Sequence, residues 1–263
     1  MPQGCGAPLS GSTSVLISQL DPMVLATIVI AALVTSGIHG ATGVAGGFLM
    51  TAVLASLIGV KAVVPVMSIA LLISHSSRAL LNARDVDRAA CLSVIVTATP
   101  CIVLAALLYG RMSSSWIAAT LGIVVLISIP LRRIARNRAV AAGRGTLAAV
   151  GTVYGALSGV SIGSGMLLIP FMLGYGLTSR AFVATLAVIA LTTNITRLAV
   201  YGATDLLDIN TLWLGLLIGC LTIPGNWIGR SILRRLTSQR HSDLVDVLTL
   251  LGALNFLYLA FYA

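Results

Sequence analysis

Apolar residues fill this chain in long blocks, and polar residues appear mainly as short punctuation between them. Asp21-Pro22 reads as a helix start, with Asp as N-cap and Pro at the first helical position. Apolar sequence then continues from Met23 to Gly59, a run of 37 residues, where about 20 suffice to span a bilayer. The excess predicts a spanning helix, a break and a second, shorter piece. Further apolar runs cover Lys61–Ala83, Ala89–Gly110 with Pro100 inside, and Trp116–Leu131 with Ser115 as cap. After a basic loop the plan repeats. An over-long run extends from Thr146 to Gly176, followed by Arg180–Gly202, Ile209–Gly229 with Pro224 inside, and a last helix from Leu244 to Tyr262 capped by Ser242-Asp243.

Composition turns this pattern into a class. The 263 residues are 58% hydrophobic and 9% charged, against roughly 25% charged in soluble domains. So few charges cannot solvate a soluble fold of this length, so the expected fold is all-α: a polytopic transmembrane helical protein of the cell (inner) membrane, with the lipid bilayer as its solvent. The net charge is +9. Most of its basic residues lie in short loops between apolar runs, where they set orientation. No nucleic-acid partner is expected, because no basic stretch interleaves with aromatics. The first 21 residues lack a basic n-region and a cleavage pattern, so the first membrane segment is expected to act as its own signal. Cys5, Cys91, Cys101 and Cys220 have no CxxC spacing, and the three in apolar runs read as packing residues.

Each over-long run carries a break of small residues: Gly40-Ala-Thr42-Gly43-Val-Ala-Gly46-Gly47 in the first, and Ser158-Gly159-Val-Ser161-Ile-Gly163-Ser164-Gly165 in the second. Gly165 lies 118 residues after Gly47. Ser74-His75-Ser-Ser-Arg78 pairs with Thr193-Asn194-Ile-Thr-Arg197 at a separation of 119. The chain therefore divides into an extramembrane segment 1–21, a first transmembrane repeat 22–134, a basic cytoplasmic linker 135–145 and a second repeat 146–263. If each over-long run returns to the side it came from, nearly all arginines fall on the cytoplasmic side, as the positive-inside bias requires. The halves then enter from opposite faces, giving two inverted repeats, each with a glycine-broken or re-entrant helix. That is the plan of many secondary transporters.

The chemistry inside the runs is cationic. The sequence has no glutamate, and its seven aspartates lie in loops or near helix starts. Arg78 and Arg197 sit well inside apolar runs, together with His39 and His75. Such groups in a membrane usually line a substrate path or a water-filled cavity. A guanidinium offers a planar fork of donors that suits a sulfonate or carboxylate. Snorkelling to the interface is the bland alternative. If the halves are inverted, the two arginines are expected toward opposite faces. At each break, helix-end amides add positive potential, glycine permits close approach, and the hydroxyls of Thr42, Ser161 and Ser164 add donors. Packing through small residues is the competing reading of the glycines. His39 is expected to pack beside the break. Gly159-Val-Ser161-Ile-Gly163 matches a G-x-S-x-G elbow, which leaves an intramembrane serine hydrolase using Ser161 or Ser164 with His75 as an alternative. No cofactor is expected, and no metal, because the histidines lack ligand spacing. Trp116, Trp213, Trp227 and the Tyr258–Tyr262 end read as interface anchors.

Over residues 22–262 the chain resembles the TauE/SafE family of sulfite and organosulfonate exporters. The resemblance rests on Gly43-Val-Ala-Gly46-Gly47-Phe-Leu, on Gly163-Ser-Gly165-Met-Leu-Leu-Ile-Pro170, on the Arg78 and Arg197 helix ends and on Pro224-Gly225…Gly229. Two positions depart between the copies: Ala52 stands opposite Pro170, and Gly46 opposite Ser164. The resemblance implies export of a sulfur-containing anion. The expected function is thus secondary transport of a small anion, sulfite or an organosulfonate, outward across the cytoplasmic membrane, with an anion channel or importer as the alternative within transport. The substrate-binding set is Thr42, Gly46, Gly47, Ser74, His75, Arg78, Ser161, Gly163, Ser164, Gly165, Thr193, Asn194 and Arg197. A homodimer stays open.

Overall fold

The computed structural model describes residues 21–42, 45–137, 141–233 and 238–262, and these are helical apart from short connections. Ten α-helices follow in order: α1 (Pro22–Thr42), α2 (Ala45–Ile58), α3 (Val60–Leu81), α4 (Arg88–Tyr109), α5 (Ser114–Asn137), α6 (Arg144–Ser158), α7 (Ile169–Gly174), α8 (Ser179–Ala203), α9 (Ile209–Leu233) and α10 (Ser238–Tyr262). Among the described residues, five stretches are long and apolar enough to cross a membrane: Pro22–His39, Val60–Leu81, Arg88–Tyr109, Ser114–Leu131 and Arg180–Ala203. Large apolar side chains such as Ile30, Val34, Val96, Leu104, Ile127 and Leu251 stand exposed on the outside of the bundle. Water would penalise that surface and lipid does not. Trp116, Trp213 and Trp227 are exposed as well.

Helix starts follow local chemistry. The Met23 amide donates to Asp21 Oδ1 at 2.9 Å and the Ala90 amide to Asp87 Oδ1 at 2.8 Å, so both aspartates cap. At α5 the cap is two residues earlier than expected. The helix begins at Ser114, and Ser113 Oγ accepts the Trp116 amide at 3.4 Å, which displaces Ser115 from that role. Two helices also outrun their apolar blocks. α5 continues to Asn137 through much of the expected basic loop, and α10 begins at Ser238, so Ser242 and Asp243 lie within it rather than before it. Arginine is a good helix former, so a basic stretch need not be a loop. Residues 1–20 of the expected extramembrane segment and 138–140 of the linker lie outside the described residues.

Both over-long runs break as the length argument requires, but differently. In the first half α2 doubles back on α1. Its 14 residues reach only about 21 Å, short of a ~30 Å hydrocarbon core. The hairpin depends on Gly46: a Cβ there would collide with the Thr35 carbonyl oxygen and the His39 backbone and Cβ. In the second half α6 ends at Ser158. Gly163 takes a left-handed φ of 92°, and a 3-10 segment Ser164–Leu168 leads into the short α7. Pro170 explains the difference from Ala52. Without an N–H it cannot donate to the carbonyl four residues back, so the chain before it winds as 3-10 helix while α2 stays regular through Ala52.

The packing pairs exchange between halves. α1 lies against α9 as α6 lies against α4, and α3 against α9 as α8 against α4, while α3 meets α8 and α5 meets α10. The α4–α6 contact is made close by Gly151, Gly155 and Gly159, each of which faces α4 backbone or Ala105 with no room for a Cβ. One core cluster joins Phe48, Leu54, Met67, Tyr109, Tyr201 and Phe256, and a smaller one gathers α4, α6, α7 and α8 around Ile102, Tyr154 and Met172.

Candidate functional site

α8 carries Thr193, Asn194 and Arg197 within one turn, so they share one face. Arg197 is 2% exposed. Its Nη1 donates to the Ser158 and Ser161 carbonyls at 2.7 and 2.9 Å, and its Nη2 to Asn194 Oδ1 at 2.7 Å. The two carbonyls belong to the end of α6 and the turn after it, where carbonyls have lost their intrahelical donors and the helix carries negative potential. This arginine does not snorkel; it is turned inward onto the break. All three acceptors are neutral, and its buried Nε has no partner among the described residues. The guanidinium is therefore solvated but not neutralised.

The second-half break is tied together around it. Ser158 and Ser164 share a hydrogen bond of 2.6 Å between their hydroxyls, and Tyr154 Oη meets Thr193 Oγ1 at 2.9 Å. Tyr201 Oη donates to the Gly159 carbonyl at 2.8 Å. Ser161 Oγ donates back to the Leu157 carbonyl at 2.7 Å, the usual resting bond of a helical serine. In the first half the Gly47 amide donates to His39 Nδ1 at 3.2 Å.

Between these two breaks lies a cavity of about 150 Å³. From the first half Gly47, His75 and Arg78 line it. From the second come Ser161, Gly163, Ser164, Gly165, Thr193, Asn194 and Arg197. Gly46 and Ser74 line a much smaller adjoining void instead, reached past His39, Gly47 and Leu71. The Thr42 side chain lies outside the described residues. The two arginines were expected toward opposite faces, yet both reach this one cavity, because α3 and α8 pack directly on each other. Among the described residues no aspartate lines it.

Three polar wall residues fall outside the expected binding set: His39, Tyr154 and Ser158. His39 does not merely pack beside the break. It caps the start of α2 and stands between the cavity and the smaller void, with its ring centroid 6.5 Å from that of His75. Tyr154 sits one turn before Ser158, which itself lies three residues before Ser161; this polar periodicity inside an apolar run was the available signal. Among the described residues no three His, Cys, Asp or Glu side chains come together in a way that could hold a metal. The arrangement offers two guanidinium groups, two imidazoles and several hydroxyls around a space left between two broken helices.

Compared with known protein families, the chain matches the one described as Sulfite exporter TauE/SafE over residues 28–256, from within α1 to within α10. No curated protein and no solved structure matches it.

Proposed function

The chain belongs to the TauE/SafE sulfite exporter family, and on that premise we propose that it moves sulfite or an organosulfonate out of the cytoplasm through the cavity that Arg78 and Arg197 share. It is a multi-pass integral membrane transporter of the sulfite-exporter type, not an enzyme, which sets aside the serine-hydrolase alternative. The observation that carries the reading is Arg197: a buried guanidinium whose acceptors are all neutral, beside a second arginine and open space. A charge in that position is costly unless an anion completes it. The anion's oxygens would take donors from Arg78, Arg197, and the Ser164 and Thr193 hydroxyls, with glycines 47 and 165 keeping the backbone open to approach.

We further infer that the two halves are inverted, with the Arg84–Arg88 and Arg180 ends and the 132–144 and 230–242 segments cytoplasmic. The exchange of packing partners between halves supports this. So does the bias of arginines to those ends.

Proteoliposomes loaded with sulfite or methanesulfonate test the function. The wild-type protein should release either anion in a saturable manner. Arg197→Ala should lower apparent affinity more than tenfold, since charged hydrogen bonds contribute about 1.5–3 kcal/mol each. Release that never saturates favours a channel. Undiminished release by folded Arg197→Ala and Arg78→Ala variants overturns the site.

A further inference from the structure

The cavity lies between two packed groups of helices. α4, α6, α7 and α8 gather around Ile102, Tyr154 and Met172, while α1, α2 and α3 pack with α9 and α10. The second group gives the cavity Gly47, His75 and Arg78. The first gives it a wall on α8 that runs from Phe182, Leu186 and Ala190 to Asn194 and Arg197. One turn past Arg197 stands Tyr201, and there the groups close on each other. Tyr201 and Tyr109 are 0% exposed, with ring centroids 5.2 Å apart, and both enter the core cluster that holds Met67, Leu214 and Ile218 of the second group. Tyr109 Oη, at the end of α4, donates to the Lys61 carbonyl at the start of α3 at 3.0 Å. That bond crosses from one group to the other. Pro65 makes its acceptor available: four residues on, it lacks the N–H that would bond the Lys61 carbonyl within α3. Tyr201 Oη holds the Gly159 carbonyl, next to the Ser158 carbonyl that Arg197 holds. At the repeat-related position one turn past Arg78, Asn82 Nδ2 donates back to the Arg78 carbonyl of its own helix. An aromatic latch is thus built at one end of the cavity and not at its counterpart.

We propose that Tyr109 is the latch of the outer gate: its bond to the Lys61 carbonyl, with its ring against Tyr201, holds the two helix groups shut beyond Arg197 and must break for substrate to pass that end. The proposal rests on the transport reading, and its outer placement on the topology inferred with it. A hydroxyl on a carbonyl orphaned by proline suits this task. The bond is strong enough to favour the closed form in a dry core, and its loss strands one neutral acceptor rather than a charge.

The test is side-specific labelling of an Ala190→Cys form of the full-length protein in membrane vesicles of each orientation. A small membrane-impermeant thiol reagent is used, and the reaction of the native cysteines, measured without Ala190→Cys, is subtracted. Labelling from the outer side should be slow. Tyr109→Phe keeps the ring and removes the bond, and should speed outer labelling about fivefold, the effect of one lost hydrogen bond. Pro65→Ala returns an intrahelical donor to the Lys61 carbonyl; it should act in the same direction more weakly, and serves if Tyr109→Phe does not fold. Methanesulfonate affinity, read by calorimetry, should stay within about twofold of the parent, because Tyr109 does not line the cavity. Outer labelling that is no faster in either folded variant overturns the latch and leaves the anion site standing. Labelling that speeds up only from the cytoplasmic side overturns its outer placement. Failure of the parent itself to bind methanesulfonate or sulfite overturns the anion reading, while the labelling comparison still decides the latch.

Discussion

The Gly47 amide donates to Nδ1 of His39 at 3.2 Å, and this bond ties the first turn of α2 to the last turn of α1. An imidazole nitrogen that accepts a backbone N–H carries no proton, so the neutral His39 ring has its proton on Nε2. One residue thus caps a membrane-buried helix start and lines the cavity, and its 4% exposure keeps water from substituting. His39→Asn retains an acceptor near the Nδ1 position. It should keep most of the stability while weakening anion binding, because the ring's reach is lost. His39→Ala should cost about 1–3 kcal/mol for the stranded amide, plus the packing it vacates. Thermal unfolding in detergent, with and without methanesulfonate, separates the two effects. Equal stability of the Asn and Ala variants would show that the bond to Gly47 contributes nothing.

The glycines of the two breaks should fail in different ways. Gly46→Ala pushes a methyl into the Thr35 carbonyl and His39, so the α1–α2 hairpin must open and folded yield should fall. Gly165 has only Leu186 Cδ1, at 3.9 Å, near its missing Cβ. Gly165→Ala should be tolerated, while Gly165→Leu should fold, fill the cavity and stop transport. Gly47 lies between these cases, with Leu71 Cδ2 3.1 Å from the added methyl. Size-exclusion profiles report folding and proteoliposome flux reports transport. Normal flux through a folded Gly165→Leu variant would place the substrate route elsewhere.

How much of this was legible beforehand depends on the physics of each feature. The helices were legible, because apolar runs of spanning length have few alternatives, and so were the two breaks, because the runs exceeded that length. Helix ends were less so. Ser113 and Ser115 are equally plausible caps in sequence, and a basic stretch such as 132–137 can continue a helix as readily as end it. The ionisable and hydroxyl residues of the site stood out because an apolar run makes them conspicuous. That Arg78 and Arg197 reach one space was not legible, since it depends on α3 packing against α8. The wall formed by Phe182, Leu186 and Ala190 was invisible for a different reason. In a membrane protein an apolar side chain reads the same whether it faces lipid, core or cavity.

Asp208 should contribute to the stability of the α8–α9 connection. It accepts the Thr211 amide at 2.7 Å at the start of α9. Burial pushes its carboxyl up, but the hydrogen bonds from Thr211 and Asn210 outweigh that and hold it below its ordinary value of 3.8. A carboxyl depressed by folding stabilises above its unfolded pKa and loses that contribution as the pH falls through the folded one. The Asp208 contribution should therefore be complete at neutral pH and fade only below about pH 3.8. Asp208→Ala should cost about 0.5–2 kcal/mol as a lost cap, with no change in anion affinity. Unfolding curves at pH 7 and pH 3 check both points; a variant as stable as wild type at pH 7 would contradict the first.

Transport should respond to the membrane potential and not to sodium. Moving one negative charge out of a cell that is negative inside releases about 2.3 kcal/mol per 100 mV, enough for roughly a fortyfold outward gradient at 1.4 kcal/mol per tenfold. Export of an anion thus needs no coupling ion. The cavity wall agrees: its permanent charges are Arg78 and Arg197, and among the described residues no carboxylate reaches it to carry sodium or a proton. The titratable groups left within it are His39, His75 and Tyr154. His39 Nδ1 is held by Gly47, and a tyrosine hydroxyl ordinarily titrates near 10, which leaves His75 as the wall residue a proton-coupled mechanism would have to use. Proteoliposomes loaded with methanesulfonate and given a potassium–valinomycin potential, negative inside, should release it faster than liposomes without a potential. Replacing sodium by choline should change nothing. Arg197→Lys should restore part of the flux lost in Arg197→Ala, since an ammonium supplies charge but not the planar fork. Flux that ignores the potential and requires a proton gradient would sink the uniport reading. It would also single out His75, and His75→Asn, which installs the side chain found at the paired position Asn194, should then uncouple proton movement from the anion.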